Sequence, residues 1–251
     1  MNSLSECTYI EPYAGGAGAA LSLLLLEKVE RIVINDLDRA IYAFWRAVLC
    51  DSEKLINRIW KTEITIAEWR RQQVIYKNKM ASEFDLGFAT FYLNRTNYSG
   101  IIDGGPIGGI DQKGEWSLGV RFNKEKLIER IKMIALYKSR IVVSNMDGLD
   151  LLSKYKDKQN VFIYLDPPYY VKGGCLYLNY YMEKDHFELS ALLNKHNKLN
   201  WLLTYDNIEN IRKLYPKRRK QDFYLNYSAR MASKGKEIMI FSDSLLLPKQ
   251  P

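Results

Sequence analysis

The sequence predicts an α/β protein: a Rossmann-like, mostly parallel sheet flanked by helices, with a C-terminal antiparallel pair and an inserted region. Three observations predict it. A β-prone run passes through a glycine-rich turn into helical spacing; apolar runs of strand length recur, several ending on acidic residues; and a long stretch after the second such run carries no parallel-strand signal.

Taken in order, Thr8 to Ile10 leads into Glu11-Pro12-Tyr13-Ala14-Gly15-Gly16-Ala17-Gly18, and Ala19 to Lys28 reads as a helix. Strand, glycine turn and helix open a nucleotide-binding α/β unit. Arg31 to Ile34 is continuously apolar after its first residue, as a buried parallel strand is, and ends at Asn35-Asp36, with helical spacing from Arg39 to Leu49. From Asp51 to about Phe84 the segments are helical, polar and aromatic, including Trp60, Trp69 and Tyr76. Seven of the 15 glycines lie between Gly100 and Gly119, which suits a hairpin or mobile loop. The α/β rhythm returns with a helix at Lys124 to Tyr137, strands at Ile141 to Val143 and Val161 to Leu165, and a helix at Glu183 to His196. Trp201 to Thr204 reads as the next strand, and Phe223 to Leu225 with Glu237 to Phe241 as a closing hairpin-like pair.

In an open α/β sheet ligands bind beyond the carboxyl ends of the strands, which directs attention to three strand ends. After the first strand, Gly15, Gly16 and Gly18 let the backbone approach a ligand, and Glu11 adds a carboxylate. After the second, Asp36 is placed to accept from both hydroxyls of a ribose. A turn of this kind needs glycine whatever it binds, so the glycines alone are weak grounds. The third end, Leu165-Asp166-Pro167-Pro168-Tyr169, is more specific. Two prolines remove two amide donors and stiffen the loop. The Asp166 carboxylate and a carbonyl near Pro167 then form a preorganised pair of acceptors. Such a pair can hold both N–H groups of an amine such as adenine's, whose lone pair is delocalised, and draw the nitrogen toward tetrahedral geometry. In-line attack on a sulfonium methyl then needs alignment and electrostatics, with no metal and no covalent intermediate. A base in a duplex must flip out to reach the loop, and Tyr169 offers it a stacking face.

Composition bounds the alternatives. At 251 residues, 47% hydrophobic and 26% charged, the chain can bury a full core. Its longest apolar run, Leu23 to Leu26, is far short of the roughly 20 residues a membrane span needs. The N-terminus lacks the pattern of a signal peptide, so a cytoplasmic location is expected. Cys7, Cys50 and Cys175 form no Cys-x-x-Cys pair, and His186 and His196 sit in no ligand-like cluster, so neither a disulfide framework nor a metal site is expected. A formal charge of +8 favours a polyanionic partner.

On these residues the chain resembles the Dam-like DNA adenine methylases, over nearly its whole length. Glu11 to Gly18 is similar to that family's cofactor motif, Ile34-Asn35-Asp36 to its ribose-binding strand end, and Asp166 to Tyr169 to its catalytic loop. Phe91-Tyr92-Leu93-Asn94-Arg95-Thr96-Asn97-Tyr98-Ser99-Gly100 resembles the family's Asn-Arg-Thr-Gly-Phe-Asn-Gly segment, and Arg121-Phe122-Asn123 a shorter motif after it. Asn145-Met146-Asp147 matches, less specifically, the position that contacts the cofactor's adenine.

The resemblance implies a Rossmann-like methyltransferase fold and site-specific transfer of methyl from S-adenosylmethionine to adenine N6 in double-stranded DNA, with the target adenine flipped. It implies a catalytic domain of residues 1–50 and 124–251 that binds the cofactor, with a target-recognition region inserted at 51–123. Asp166, Pro167, Pro168 and Tyr169 are then catalytic. Glu11, Tyr13, Gly15, Gly16, Gly18, Asp36, Asp147 and Asp166 bind cofactor, and Asn94, Arg95, Tyr98 and Arg121 contact DNA. Arg70, Arg71 and the glycine-rich loop are softer DNA candidates, and Lys217-Arg218-Arg219-Lys220, beside a turn at Pro216, reads as a solvated face or a nonspecific phosphate contact. A restriction nuclease is a partner that such enzymes can take. The family also carries a Pro-Gly-Gly-Lys segment upstream of the glycine motif. Only ten residues precede Glu11 here, none of them lysine, so an internal start or a truncated chain is expected. Two alternatives stand beside this reading: a catalytically silent DNA-binding or regulatory module of the same fold, which would not bind S-adenosylmethionine, and a methylase of another planar amide or amine in RNA or protein.

Overall fold

A computed structural model of the chain describes residues 6–170, 181–227 and 233–246. Met1 to Ser5 and Cys175 lie outside the described residues. In chain order the elements are β1 (Thr8–Glu11), α1 (Gly18–Leu25), β2 (Arg31–Asn35), α2 (Arg39–Cys50), α3 (Ser52–Lys61), α4 (Ile66–Lys77), α5 (Glu83–Thr96), α6 (Lys124–Leu136), β3 (Ile141–Ser144), α7 (Gly148–Tyr155), β4 (Val161–Leu165), α8 (Glu183–Lys195), β5 (Asn200–Asp206), α9 (Glu209–Leu214), β6 (Arg219–Tyr227) and β7 (Ser233–Phe241). The chain divides into two compact units, one of residues 1–38 with 140–251 and one of residues 39–139.

The first unit is the α/β sheet. Its seven strands run in the order β3-β2-β1-β4-β5-β7-β6. The first five are mutually parallel, and β7 lies antiparallel between β5 and β6. The fold is therefore Rossmann-like with a closing antiparallel pair, as the apolar runs imply. Ile10, Val33, Ile163, Leu165, Trp201, Leu203, Ile238 and Ile240 form a continuous buried core across these strands. The chain moves from β1 outward to β2 and β3, then returns to β4 on β1's other side, so the switch point falls between the carboxyl ends of β1 and β4.

The charge run at 217–220 belongs to this framework, and its reading as a solvated face is corrected for Arg218. Arg218 is buried, pairs with Asp243 at 2.6 Å and donates to Leu193 O and Asn194 O. Arg219 donates to Ser242 O and Leu245 O, and the Lys220 ammonium to Tyr215 O and Arg218 O. These cations add donors to carbonyls at the end of α8, before β6 and after β7. Lys217 and Arg219 are exposed and Lys220 is half-buried.

The second unit is helical. Helices α2 and α6, read from sequence as flanking the sheet, group with α3, α4 and α5 in this unit. Close crossing of α2 and α5 depends on small residues: a Cβ at Gly87 would sit 2.4 Å from Ala43 O. Helix starts are capped by side chains, with Thr65, Ser82 and Asn123 accepting from the amides of Glu68, Asp85 and Lys126. The glycine-rich stretch forms successive turns rather than a hairpin, with a single antiparallel bridge, Asn97 to Pro106.

Candidate active site

Four strand ends of the first unit meet around one pocket of about 270 Å³. The loop after β1 contributes Pro12, Tyr13, Ala14, Gly15 and Gly16; the end of β2 contributes Asp36, Leu37 and Asp38; β3 leads to Asp147 and Gly148; and β4 leads to Asp166 and Pro168, with Tyr181 completing the lining. Asn35 joins these ends from below. Its Nδ2 donates to Pro12 O and Met146 O, both at 2.9 Å, while its Oδ1 accepts from Ser144 Oγ and Met146 N.

The glycine turn is shaped by its φ angles. Gly15 lies at φ +46 and Ala17 at φ 47, a left-handed conformation that glycine adopts without strain. A Cβ on Gly15 or Gly16 would have no atom within 4 Å, so these residues form the open wall of a cradle. Gly15 N donates to Asp36 Oδ2 at 2.9 Å, and Asp38 N to Asp36 Oδ1 at 2.9 Å. Each oxygen keeps a further lone pair for a ligand hydroxyl. Burial raises the Asp36 pKa against the lowering effect of these two amides. Asp147 caps α7 by accepting from Leu149 N at 2.7 Å. Behind it Tyr13 and Tyr181 share a hydroxyl–hydroxyl hydrogen bond, their rings meeting edge to face at 5.6 Å. Gly148 makes room for this pair, because a Cβ there would lie 2.6 Å from the Tyr13 hydroxyl.

At the β4 end the Asp166 side chain is open to the pocket yet crowded by protein. Desolvation by these surroundings raises its pKa, a hydrogen bond from Thr204 Oγ1 at 2.9 Å lowers it, and the charge of Glu237 raises it again. Pro167 is buried, and the Tyr169 hydroxyl donates to Glu237 Oε1 at 2.9 Å. Of the residues expected to bind cofactor, the structure brings Tyr13, Gly15, Gly16, Asp36, Asp147 and Asp166 together. Gly18 instead begins α1. Glu11 lies beneath the turn, 4% exposed, and accepts from Ala20 N at 2.9 Å.

Glu11 carries a stability prediction. Burial, opposed by its hydrogen bonds and assisted by Asp166, pushes its pKa from 4.5 to about 7. The folded state then holds the proton more tightly than the unfolded one, so stability is fullest below 4.5 and falls as pH rises toward 7. Glu11→Gln keeps an acceptor for the Ala20 amide without the charge. It is expected to melt like the parent at acid pH and to gain up to ~3 kcal/mol at pH 8, at about 1.4 kcal/mol per pKa unit. Coincident melting curves at pH 8 would contradict this.

The expected DNA-contact residues lie together in the second unit. Asn94 Nδ2 donates to Gly100 O at 2.9 Å, and Asn94 Oδ1 accepts from the Arg95 guanidinium. Arg121 donates to Asn97 O, and the half-exposed Tyr98 accepts from Gly108 N. Burial lowers the Arg95 pKa, and the charges of Arg121 and Arg130 lower it further. Among the described residues no carboxylate forms an ion pair with these three arginines, which leaves a concentrated positive site suited to phosphate. Arg71 is paired with Glu68 at 3.3 Å.

Sequence reading missed Thr204, which fixes Asp166 from the neighbouring strand, and Gly148 and Tyr181 at the pocket. Asn35 was in view as a strand-end residue, but the loops it ties together are remote in sequence. Among the described residues no group of three His, Cys, Asp or Glu side chains could hold a metal, and no helix is long and apolar enough to cross a membrane.

Among solved structures, the chain is similar to the rRNA methyltransferase AviRa from Streptomyces viridochromogenes, at 10% identity and a TM-score of 0.37, over 94% of this chain and 77% of that one. It is also similar to SMU.472, a proposed methyltransferase complexed with SAH, at 12% identity and a TM-score of 0.31, over 77% and 57%. No match is found among curated protein sequences. The model of the D12 class N6 adenine-specific DNA methyltransferases matches residues 2–230 and thus every residue lining the pocket. The chain belongs to this family and is an adenine N6-methyltransferase.

Proposed function

We propose that the protein transfers methyl from S-adenosylmethionine to the exocyclic N6 amine of adenine at specific sites in double-stranded DNA. The observation that carries this reading is the opening of Asp166 and Pro168, of the Asp166-Pro167-Pro168-Tyr169 loop, onto the same pocket as Asp36 and the Gly15-Gly16 wall.

The pocket suits the methyl donor in shape and in charge. Its described lining contains four carboxylates, Asp36, Asp38, Asp147 and Asp166, and no Lys or Arg, which favours a cationic ligand. S-adenosylmethionine supplies, when bound, an electrophilic methyl group on a positively charged sulfur. Asp36 would accept from its ribose hydroxyls, Asp147 would hold its base, and the Gly15-Gly16 backbone would bind the rest. Asp166 and a loop carbonyl at Pro167 hold the adenine amine, with Tyr169 as its stacking face. As N6 gains the methyl it must release a proton, and the raised pKa of Asp166 fits this carboxylate to take it before passing it to solvent.

The helical unit, residues 39–139, is the proposed target-recognition region. Arg95 and Arg121 bind backbone phosphate, Asn94 braces Arg95, and Tyr98 presents its ring. Incubation with labelled S-adenosylmethionine and adenine-containing duplex DNA tests the whole reading. Label in N6-methyladenine is expected, and its absence, or label confined to RNA or protein, would refute the assignment.

A further inference from the structure

Glu237 lies on β7, beyond the residues matched to the family. It is 3% exposed, and its strand register places it directly opposite Asp206 of β5. Both carboxylates reach the same loop. Asp206 Oδ1 accepts from Tyr170 N at 3.1 Å, and Glu237 Oε1 accepts from the Tyr169 hydroxyl at 2.9 Å. Thr204, two residues before Asp206 and therefore on the same face of β5, donates to Asp166. Pro167 and Pro168 have no amide N–H with which main chain could anchor the loop. Side chains of the β5–β7 pair hold it instead, at Asp166, Tyr169 and Tyr170.

We propose that Glu237 is a positioning residue for methyl transfer, its carboxylate fixing the Tyr169 ring in the attitude in which the target adenine stacks on it. The inference rests on the reading of Asp166 to Tyr169 as the adenine-holding loop. The reversed strand then has a use beyond closing the sheet: it brings an acceptor to the far side of the loop, where the parallel strands end.

Labelled methyl transfer to duplex DNA at saturating S-adenosylmethionine, with cofactor affinity measured by calorimetry on each protein, tests this. Glu237→Ala is expected to lower kcat about tenfold, since small misplacements of a reacting group are costly, while the cofactor Kd stays within about twofold. Glu237→Gln, which keeps an acceptor oxygen, recovers most of the loss. In a Tyr169→Phe background Glu237→Ala adds little, because the bond is already gone. Unchanged kcat in Glu237→Ala, additive losses in the double variant, or cofactor affinity falling in step with kcat would each overturn the proposal. Should Glu237→Ala not fold, Tyr169→Phe removes the same hydrogen bond, and a wild-type kcat there is equally fatal. A parent protein that transfers no methyl to adenine defeats the reading of the loop, and this inference with it. An active parent that is indifferent to Glu237 defeats this inference alone.

Discussion

Asp166→Ala is expected to reduce methyl transfer to adenine by at least ~100-fold, the scale on which a single preorganised polar group acts at a reacting centre, while the protein stays folded and binds S-adenosylmethionine. The side chain opens on the pocket and its one described side-chain partner is the Thr204 hydroxyl, so truncation leaves no large cavity and no buried charge. What it removes is the acceptor for an amine proton. Asp166→Asn separates two contributions: it keeps an acceptor oxygen but cannot take a proton, so its activity should fall between those of the alanine variant and the parent. The pH profile supplies a further check. The folded pKa lies above 3.8 because burial disfavours the charged form, so the carboxylate is lost as pH falls through that raised value. Activity should therefore decline on the acid side at a higher pH than an ordinary aspartate would give. Retained activity in Asp166→Ala, or an acid limb at the ordinary position, would overturn the role.

The residues most legible in the sequence are those at strand ends. Gly15, Asp36 and Asp166 each follow a run whose apolar character marks a buried parallel strand, and topology alone brings such ends together. Helix α5 was less legible for a physical reason. Phe84, Leu86, Phe88, Ala89, Phe91, Tyr92 and Leu93 are all buried, so the helix has no polar face and no amphipathic period to read. The segment containing Asn94 and Arg95 was therefore recognised by its residues without the helix that carries it. Thr204, Glu237 and Arg218 were illegible in another way. Their partners lie 38, 68 and 25 residues away, at Asp166, Tyr169 and Asp243, and only strand pairing sets those distances. Within the charge run read as solvated, Arg218 is thus a buried anchor.

Asp36→Ala is expected to weaken S-adenosylmethionine binding by about 10- to 100-fold, the range that follows from losing one charge-assisted hydrogen bond worth roughly 1.5–3 kcal/mol. Two effects contribute, and a second variant separates them. Asp36 accepts the amides of Gly15 and Asp38, so alanine both deletes the acceptor offered to the ribose and releases the glycine turn. Asp36→Asn retains one acceptor oxygen and so part of the turn's anchoring. If the ribose contact dominates, Asn should bind nearly as poorly as Ala, because the negative charge is gone from both. If anchoring dominates, Asn should recover much of the affinity. Saturating cofactor should largely restore kcat in either variant, since the proposed role of Asp36 is to hold the donor and not the amine, which sets its expected behaviour apart from that of Asp166. Burial raises the Asp36 pKa, so parent affinity should also fall as pH drops through that raised value, and the Asn variant should lack this decline. Calorimetric titration across pH checks both, and an Asp36→Ala protein that binds the cofactor as tightly as the parent would remove Asp36 from the site.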